Sequence, residues 1–339
     1  MIFKGIDLCC PHCRGDLQET EQREAGLRCV SCDRRFPILL DIPDLRVSPD
    51  PYIEVEADRA KGLQMAARLV ELNFAELVDF YYSITPAVPP HQARQYTRGL
   101  MAGVARAEAA LASWKNAVGV NGQPAASLLE IGCGTAPLLV AAAPRFAKLV
   151  GVDIAFLWLV VAKKRLAEAG LDVPLICACA EALPFPDGAF DRVVADSVLE
   201  HARNQRRALA ECHRVMRPAG YLCVSTPNRY SLGPDPQVGV WAGGYLPDRW
   251  VAAYVRWRGG IPPKRRLLSA RSLVRLIREA GFFLPWILLP DIPAGQRRHF
   301  GKGLQVLIDL YHIAKRLPLS QQLLLWIGPI LHAVAEKPA

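Results

Sequence analysis

The chain has 339 residues, of which 51% are apolar and 22% are charged, and its formal net charge is +9. This composition excludes an intrinsically disordered chain and is typical of a globular protein with one large domain plus additions, or with two domains. No apolar run reaches the roughly 18 residues that a membrane-spanning helix needs, and the first residues lack the apolar core of a signal peptide, so we expect a cytoplasmic protein.

Two Cys-x-x-Cys pairs lie near the N-terminus. Cys10 and Cys13 form the first pair, Cys29 and Cys32 form the second, and 15 residues separate them. Each pair can turn two thiolates inward on a tight turn, and two pairs complete the tetrahedral ligand set that Zn²⁺ prefers. Redox chemistry would need one such pair within a βαβ unit, whereas two pairs here flank a short polar hairpin. Because protein would supply all four ligands, we expect a structural zinc ion with no open position for a substrate.

The sequence around these cysteines resembles a known ribbon family. The stretches CPHCRGDL and LRCVSCDRRFPILLDIPDL are similar to the zinc-ribbon family that includes the small activator subunit of eukaryotic tRNA and protein methyltransferases. The resemblance covers about residues 6–46, and the same ribbon is found ahead of some bacterial methyltransferases. We therefore assign residues 1–47 to a zinc ribbon, with Cys9 left out of the ligand set and His12 as an exposed loop residue.

Residues 48–125 are expected to form a linker and a helical cap. The stretch RVSPDPYIEVE is polar and broken by proline, which is typical of a linker. Between Glu54 and Tyr82 apolar residues recur every three or four positions, which predicts a helix, and the alanine-rich stretch 91–118 predicts a second one. These helices either serve only as packing elements or also cover a pocket.

A glycine-rich turn follows a predicted strand in SLLEIGCGTAPLL, Ser127–Leu139. Gly132 and Gly134 lack the side chains that would keep a ligand away from the backbone, and a Gly-x-Gly turn suits NAD, FAD or S-adenosylmethionine. Pro137 suits the first turn of the helix that follows. It also stands where the dinucleotide fingerprint has its third glycine, which counts against NAD.

An acidic residue ends the second predicted strand, in KLVGVDIAF. Asp153 lies nineteen residues after Gly134, and at a strand tip it can accept hydrogen bonds from both ribose hydroxyls of an adenosine cofactor. The alternative is an Asp that only caps the following helix. Three further predicted strands alternate with helices up to residue 228, which predicts a doubly wound α/β fold whose parallel sheet binds its ligand at the carboxyl edge.

Residues 127–228 resemble the class I S-adenosylmethionine-dependent methyltransferases of the group that contains the quinone-biosynthesis methyltransferases. The resemblance rests on LLEIGCGTA, GVDIA, AEALPFPDGAFD, SVLEH and RVMRPAGYLCVSTPN. It implies a Rossmann-like, seven-stranded sheet, with the cofactor-binding core at residues 126–230 and S-adenosylmethionine as the cofactor. The motifs indicate the class of cofactor and say little about the methyl acceptor.

The resemblance also implies roles for individual residues. Glu130 would meet the ammonium group of the cofactor, and Asp153 would hold its ribose. The other cofactor contacts would come from Gly132, Cys133, Gly134, Ile154, Ala180, Glu181 and Ser197. Cys179 stands where the family usually has Asp before an Ala-Glu pair, so a contact to the adenine amino group is in doubt and weaker cofactor binding is predicted.

Candidates for acceptor chemistry follow the fourth and fifth strands. His201 in LEH is the candidate general base for a hydroxyl acceptor, and the alternative is that it only braces its loop. Asn228, Arg229 and Tyr230 follow the fifth strand, where an acceptor should lie. They either contact the substrate or shape the loop.

The region 231–339 is longer than two closing strands need, and we interpret it as a helical insertion that sets specificity. It contains a loop rich in Gly, Pro and Trp, a helix in LSARSLVRLIREAGF, closing strands in FLPWILLP and GPILHAVAEKP, and the basic stretches PPKRR and GQRRHFGKG. An apolar, partly basic helix is predicted around Leu304–Arg316. Residues 202–316 hold 20 Lys and Arg against 6 Asp and Glu, a net charge of +14, whereas residues 1–201 hold 20 against 25. Such an excess favours an anionic partner over a merely solvated surface.

Three functions stay open. The first is a methyltransferase for a small or lipid-linked, anionic acceptor, with peripheral membrane contact through the basic C-terminal region. The second is a ribosomal-RNA guanine N-methyltransferase, because bacterial enzymes of that kind share the order of ribbon and methyltransferase and because the basic segment suits phosphate binding. The third is a non-catalytic adaptor, against which the intact Gly132, Gly134 and Asp153 argue. Basic residues that alternate with long apolar runs favour the first.

Overall fold

The fold was analysed in a computed structural model of the chain. The structure describes residues 1–20, 26–118, 126–233, 235, 238–290, 292, 297 and 301–339. Within these residues, no helix combines the length and the apolar character that a bilayer crossing demands. Most of the basic stretch 295–303 and part of the predicted loop at 231–250 lie outside the described residues.

The N-terminal segment is a small antiparallel β-structure. Its first two strands pair as a hairpin, and the next four form a sheet in chain order. Leu17, at the start of the first strand of this sheet, pairs with Cys29, the last residue of the second strand. The second cysteine pair therefore begins where that second strand ends. The strands are β1 Ile2–Phe3, β2 Ile6–Asp7, β3 Leu17–Thr20, β4 Gly26–Cys29, β5 Arg35–Leu39 and β6 Ile42–Pro43.

A seven-stranded sheet forms the centre of the protein and confirms the predicted doubly wound α/β fold. Its strands are β7 Ser127–Ile131, β8 Lys148–Asp153, β9 Leu175–Cys177, β10 Phe190–Asp196, β11 Met216–Pro227, β12 Phe283–Leu288 and β13 Ile330–Glu336. The order across the sheet is β12-β13-β11-β10-β7-β8-β9. β13 runs antiparallel to both of its neighbours, whereas the pairings among β7 to β11 are parallel. The order reverses beside β7, and such a point is where open α/β sheets bind ligands.

Helices pack on both faces of this sheet. Within the methyltransferase-like core they are α5 Pro137–Ala142, α6 Phe156–Glu168 and α7 Gln205–Val215. Pro137 occupies the first turn of α5, as predicted. In α6 the apolar residues Phe156, Leu159 and Val160 are fully buried, because this helix lies between the sheet and the helical cap.

The helical cap differs from the sequence prediction. Residues 55–118 form four helices where two were expected: α1 Val55–Ala66, α2 Phe74–Ser83, α3 Pro90–Met101 and α4 Gly103–Val118. The periodic pattern was misleading near Val70, which is 96% exposed. Asn73 begins α2 with a capping box to Glu76, and this local hydrogen bonding separates α2 from α1. Gly62 lets α1 approach α6 closely, since a Cβ there would lie 2.5 Å from the Phe156 ring.

The C-terminal region supplies the last helices and both closing strands. Beyond the core, the helices are α8 Asp248–Trp257, α9 Ala270–Glu279, α10 Lys302–Ala314 and α11 Pro318–Ile327. The predicted helix before β12, the predicted apolar helix and the two predicted closing strands are therefore confirmed. The described part of the loop between residues 231 and 247 contains a short 3-10 turn, Gly243–Tyr245.

The N-terminal segment and the central sheet share one interior. Apolar residues of the ribbon, such as Leu27 and Leu45, belong to the same buried cluster as Leu129 and Phe185 of the core. The Leu45 N–H donates to the Cys177 carbonyl at 2.7 Å, so the end of the ribbon lies along the edge strand β9. The ribbon therefore covers a sheet edge that would otherwise expose unpaired backbone groups.

Candidate functional site

A cavity of about 640 Å³ opens at the carboxyl ends of β7, β8 and β10. Its volume falls within the range of small-molecule and cofactor sites, roughly 300–1,000 Å³. Seven residues that the sequence motifs selected lie on its wall: Gly132, Asp153, Ile154, Ala180, Glu181, Ser197 and His201. The carboxyl edge of the sheet brings them together, although up to 69 positions separate them in the chain.

The loop after β7 has the backbone shape that its glycines allow. Gly132 and Gly134 have φ angles of +68° and +50°, in the left-handed region that favours glycine. A Cβ on Gly132 would lie 2.2 Å from Cγ2 of Val198, whereas a Cβ on Gly134 would meet no atom within 4 Å. The Cys133 N–H donates to the Val152 carbonyl at 3.0 Å, which ties the loop to β8. Gly134 therefore borders open space, as a backbone that approaches a ligand must.

Asp153 joins the tip of β8 to this loop. Its carboxylate accepts hydrogen bonds from the Gly134 N–H at 2.7 Å and from the Ala155 N–H at 2.8 Å. Burial raises the pKa of Asp153 to about 6, and the two backbone donors only partly oppose that rise. The carboxylate lies on the cavity wall, where its remaining lone pairs can accept hydrogen bonds from hydroxyl groups of a ligand.

Glu130 is buried within β7, two residues before Gly132, and is not among the described residues that line the cavity. Among the described residues its Oε2 has no hydrogen-bond partner. Burial, followed by repulsion from Asp196 and Asp153, raises the pKa of Glu130 well above its ordinary value. A buried acceptor without a partner is costly, and an ammonium group of a bound ligand would satisfy it. The residues present therefore fit the amino-acid end of S-adenosylmethionine.

Cys179, the departure from the family pattern, contacts the linker and not the cavity. Its Sγ lies 3.3 Å from the Ser48 hydroxyl. Ser48 itself lies on the cavity wall. The linker thus supplies the Ser48 hydroxyl next to Cys179, the position where the family usually has Asp.

His201 lies on the cavity wall between the linker and the C-terminal region. Its Nδ1 lies 3.4 Å from the Lys264 carbonyl oxygen, and the Tyr52 ring meets it edge-on with centroids 6.2 Å apart. Burial lowers the pKa of His201 below its ordinary value of 6.5. The imidazole is therefore neutral at neutral pH, which is the form that a general base requires.

The three residues predicted to contact the acceptor lie elsewhere. Asn228, Arg229 and Tyr230 are absent from the described residues that line the cavity. The Asn228 side chain is buried and donates to the backbone carbonyls of Trp326 and Gly328, both at 2.9 Å. The strand β11 continues to residue 227 beside β13, so Asn228 lies under the end of α11 and braces it, whereas the Arg229 N–H donates to the Leu268 carbonyl and the Tyr230 ring packs on Tyr245.

The cap adds an aromatic wall that the sequence motifs did not indicate. Tyr81 and Trp158 pack with ring centroids 4.6 Å apart, and both line the cavity together with Tyr96. The Lys61 ammonium donates to the Thr85 hydroxyl at 2.7 Å and lies 5.0 Å from the centroid of the Tyr81 ring. Burial lowers the pKa of Lys61. Lys61, Tyr81, Tyr96 and Trp158 come from four helices, so no local sequence pattern connects them.

A buried ion network links the ribbon to this site. The Arg46 guanidinium, only 2% exposed, forms ion pairs with Asp44 and Asp58 at 2.6 Å each. It also donates to the Ile154 carbonyl at 3.1 Å. Asp58 in turn accepts hydrogen bonds from the first N–H groups of α6, those of Phe156 and Leu157. Arg46 of the ribbon thus holds Ile154, and Asp58 of the cap holds the start of α6.

The four cysteines selected by their spacing form a compact cluster within the ribbon. The sulfur atoms of Cys10, Cys13, Cys29 and Cys32 all lie within 4.8 Å of one another. Four converging thiols fit a tetrahedral, closed zinc site, as predicted. Cys9 is not a member: it is buried, and its N–H donates to the Pro184 carbonyl of the core at 3.0 Å.

Two stretches of the chain match protein-family models. Residues 129–224 match the model of a methyltransferase domain. Residues 8–38 match the model of a Trm112p-like protein. The first stretch contains the glycine loop, Asp153 and His201, and the second contains all four cysteines of the cluster.

Curated proteins match the middle of the chain. A ubiquinone/menaquinone biosynthesis C-methyltransferase, UbiE, of Bordetella avium is 37% identical over 142 residues, which cover 40% of this chain and 53% of that protein. A demethylmenaquinone methyltransferase of Thermus thermophilus is 37% identical over 99 residues, or 29% of this chain and 45% of that protein. The chain thus spans about half the length of the curated relatives it matches. Among solved structures, a complex of the Haloferax volcanii Trm112 methyltransferase activator is similar to this chain, with a TM-score of 0.47 and 16% sequence identity. The match covers 73% of this chain and 94% of the matched chain.

Proposed function

We propose that this chain, which carries a methyltransferase domain behind a Trm112p-like zinc-binding segment, is an S-adenosylmethionine-dependent methyltransferase. Its acceptor would be a small or lipid-linked, anionic molecule. The observation that carries the proposal is the pair of carboxylates at the glycine loop. Asp153 lies on the cavity wall, and Glu130 is buried in β7, two residues before Gly132, with an oxygen that has no hydrogen-bond partner among the described residues.

Each part of the site has a role in this reaction. S-adenosylmethionine supplies a methyl group that is already activated on a sulfonium. Asp153 would accept the ribose hydroxyls, and Glu130 would accept the ammonium group. Ile154 and Ala180 would border the adenine. Methyl transfer then needs mainly alignment of the acceptor and exclusion of water, and the cap helices cover the cavity in a way that supports both.

The part of the cavity lined by Lys61, Tyr81, Tyr96 and Trp158, here called the chamber, supports an anionic acceptor with an aromatic or otherwise flat apolar body. Tyr81, Tyr96 and Trp158 offer aromatic surface. Within the described residues, Lys61 has no carboxylate in ion-pair distance, and burial lowers its pKa. An acceptor anion would therefore compensate a partly desolvated ammonium group. Asp50 on the same wall accepts a hydrogen bond from the Tyr52 N–H at 2.7 Å.

His201 is the candidate base for a hydroxyl acceptor. It lies on the cavity wall and its lowered pKa keeps the imidazole neutral at neutral pH. If the acceptor loses its proton before methyl transfer, the rate should decrease in a His201→Gln variant while S-adenosylmethionine affinity stays unchanged. If His201 only braces its loop, the two quantities should change together.

Calorimetry with S-adenosylmethionine and S-adenosylhomocysteine tests the proposal. Wild-type protein should bind both, and Asp153→Ala should weaken binding at least tenfold because the ribose would lose its acceptor. Asp172→Ala is the matched control, since Asp172 is an exposed acid paired with Lys4 outside the cavity. Absence of binding by the wild type would refute the enzymatic function and favour an adaptor. Methylation of ribosomal RNA in place of small acceptors would favour the guanine N-methyltransferase alternative.

A further inference from the structure

Helix α8 exposes a stripe of aromatic residues to solvent. Trp250, Tyr254 and Trp257 are exposed at 59%, 44% and 81%. They are four and three positions apart, so they share one side of the helix. Val255, on another side, is buried against the cap. The helix is therefore held in place by one face and exposes its two tryptophans to solvent.

The hairpin of α10 and α11 exposes two further stripes of aliphatic character. Val306, Leu310 and Ile313 on α10 and Leu317 just after it are at least 55% exposed, at spacings of four, three and four. On α11 the exposed residues are Leu319, Leu323 and Trp326, again four and three apart. Ile308 and the Tyr311 hydroxyl, which donates to the Pro290 carbonyl at 2.7 Å, fix the opposite side of α10.

Single exposed apolar residues are common on protein surfaces, but the exposed apolar residues of α8, α10 and α11 are not scattered singly. All three helices follow the period that places large apolar side chains on a single face, and each of those faces points to solvent. Each stripe is a row of neighbouring apolar side chains on its own helix, and contiguous apolar surface of this kind marks an interaction site in a folded protein.

The charges beside the stripes indicate what binds there. Helix α8 and the residue after it carry Arg249, Arg256 and Arg258 against Asp248, and all four are exposed. Residues 302–327 carry Lys302, Lys315 and Arg316 against Asp309. A second copy of the chain would bring the same cations to the contact and would be repelled. An RNA would leave the apolar stripes in water. An anionic bilayer surface complements both the cations and the apolar side chains.

We propose that the three apolar stripes of α8, α10 and α11 dock the protein on the surface of an anionic lipid bilayer. The aliphatic side chains would enter the boundary of headgroups and acyl chains, the tryptophans would lie at headgroup level, and the arginines and lysines would meet lipid phosphates. Helices of this length bind in the plane of the interface and do not cross it.

The position of α8 connects this surface to the cavity. Ile261 and Pro263, which follow α8 within six residues, lie on the cavity wall. Docking through α8 would therefore bring the chamber close to the bilayer, where a lipid-linked acceptor resides. This connection rests on the proposed function, whereas the docking itself does not.

Sedimentation of the full-length protein with vesicles tests the docking. Binding should require phosphatidylglycerol in a phosphatidylcholine background, and should decrease as salt is raised from 0.1 to 0.5 M, because exposed charges are screened. A variant with Trp250→Ser, Trp257→Ser, Leu310→Ser and Ile313→Ser should lose at least tenfold in partition coefficient. The matched control carries Leu63→Ser and Val70→Ser, which remove exposed apolar side chains from the cap, and should bind like the wild type.

The outcomes separate docking from catalysis. Calorimetry with S-adenosylhomocysteine on each variant shows whether the core is intact, and its result does not depend on vesicles. Wild-type protein that stays in the supernatant with anionic vesicles would overturn the proposal, and so would a stripe variant that sediments like the control. A wild-type dimer in light scattering that dissociates in the stripe variant would also overturn it, because the stripes would then join two copies. Vesicle binding that is lost only in the stripe variant would support it, even if no methyl transfer is found.

Discussion

Replacement of Arg46 by Met should destabilise the whole protein and not the ribbon alone. The change leaves the carboxylates of Asp44 and Asp58, 1% and 0% exposed, without their shared cation. Removal of one partner from a buried ion pair costs about 3–5 kcal/mol. Asp44 keeps Arg59, and Asp58 keeps the N–H groups of Phe156 and Leu157. We therefore expect the lower end of that range, a loss of about 3 kcal/mol in the free energy of unfolding.

Arg59→Met is the matched control for this substitution. Arg59 is 30% exposed and reaches only Asp44, which would still be paired with Arg46. Its loss should cost about 1 kcal/mol or less, as is usual for partly exposed pairs. Urea unfolding, followed by circular dichroism in buffer with zinc, gives both values. Equal costs for the two variants would refute the reasoning that burial and shared pairing make Arg46 important.

The pH dependence gives a second measurement on the same network. Burial by itself would raise the pKa of Asp44, but hydrogen bonds and attraction from Arg46, and then from Arg59, outweigh it and hold the pKa below its ordinary value. A carboxyl group with a depressed folded-state pKa stabilises the protein above its unfolded pKa of about 4. That stabilisation is lost as pH decreases through the folded-state value. The stability difference between wild type and Arg46→Met should therefore shrink below about pH 4 and stay constant from pH 6 to 8.

Three other predictions concern the metal, the cofactor and the acceptor. Removal of zinc by a chelator should unfold the ribbon and lower the stability of the core, because Leu27 and Leu45 belong to the buried cluster of the core. Thermal unfolding with and without added zinc measures this loss of stability, and an unchanged unfolding midpoint would contradict the prediction. The contribution of Asp153 to S-adenosylmethionine affinity should be constant above about pH 6 and decrease up to tenfold per pH unit below it, because burial raises the pKa of Asp153 to about 6 and a protonated Asp153 is a poorer acceptor. Calorimetry between pH 5 and 8 on the wild type and on Asp153→Asn measures this contribution as the difference between the two, and a difference that does not change with pH would contradict it. Lys61→Met should weaken binding of an anionic acceptor about tenfold with cofactor affinity unchanged, and equal loss of both would show that Lys61 only stabilises the cap.

The sequence predicted those parts of the site that depend on local chain geometry. A glycine turn after a buried strand, an acid at the tip of the next strand and two spaced cysteine pairs each carry their signal within a few residues. Gly132, Asp153 and the four cysteines therefore lie where the motifs indicated. The parallel pairing of the core strands followed from the alternation of strands and helices.

Features made by distant segments could not be predicted in this way. The chamber wall combines Lys61, Tyr81 and Trp158 from three helices, and only tertiary packing brings them together. Asn228 seemed to follow a strand into the site, but the antiparallel closing strand directs it under α11. The periodicity of the cap could not show the break before Asn73, because capping hydrogen bonds of a few atoms decide it.

The attachment of the ribbon to the core at Leu45 also fixes the ratio of these two parts at one to one. The residues that bond to β9 and to Ile154 follow the last ribbon strand within three positions, so the ribbon is tethered to its docking site with almost no slack. Association within one chain does not weaken on dilution, whereas that between two separate chains does. A ribbon in this arrangement is therefore supplied at one copy per core. A change in the amount of protein leaves that ratio unchanged, so the ratio of ribbon to core cannot serve as a means of control.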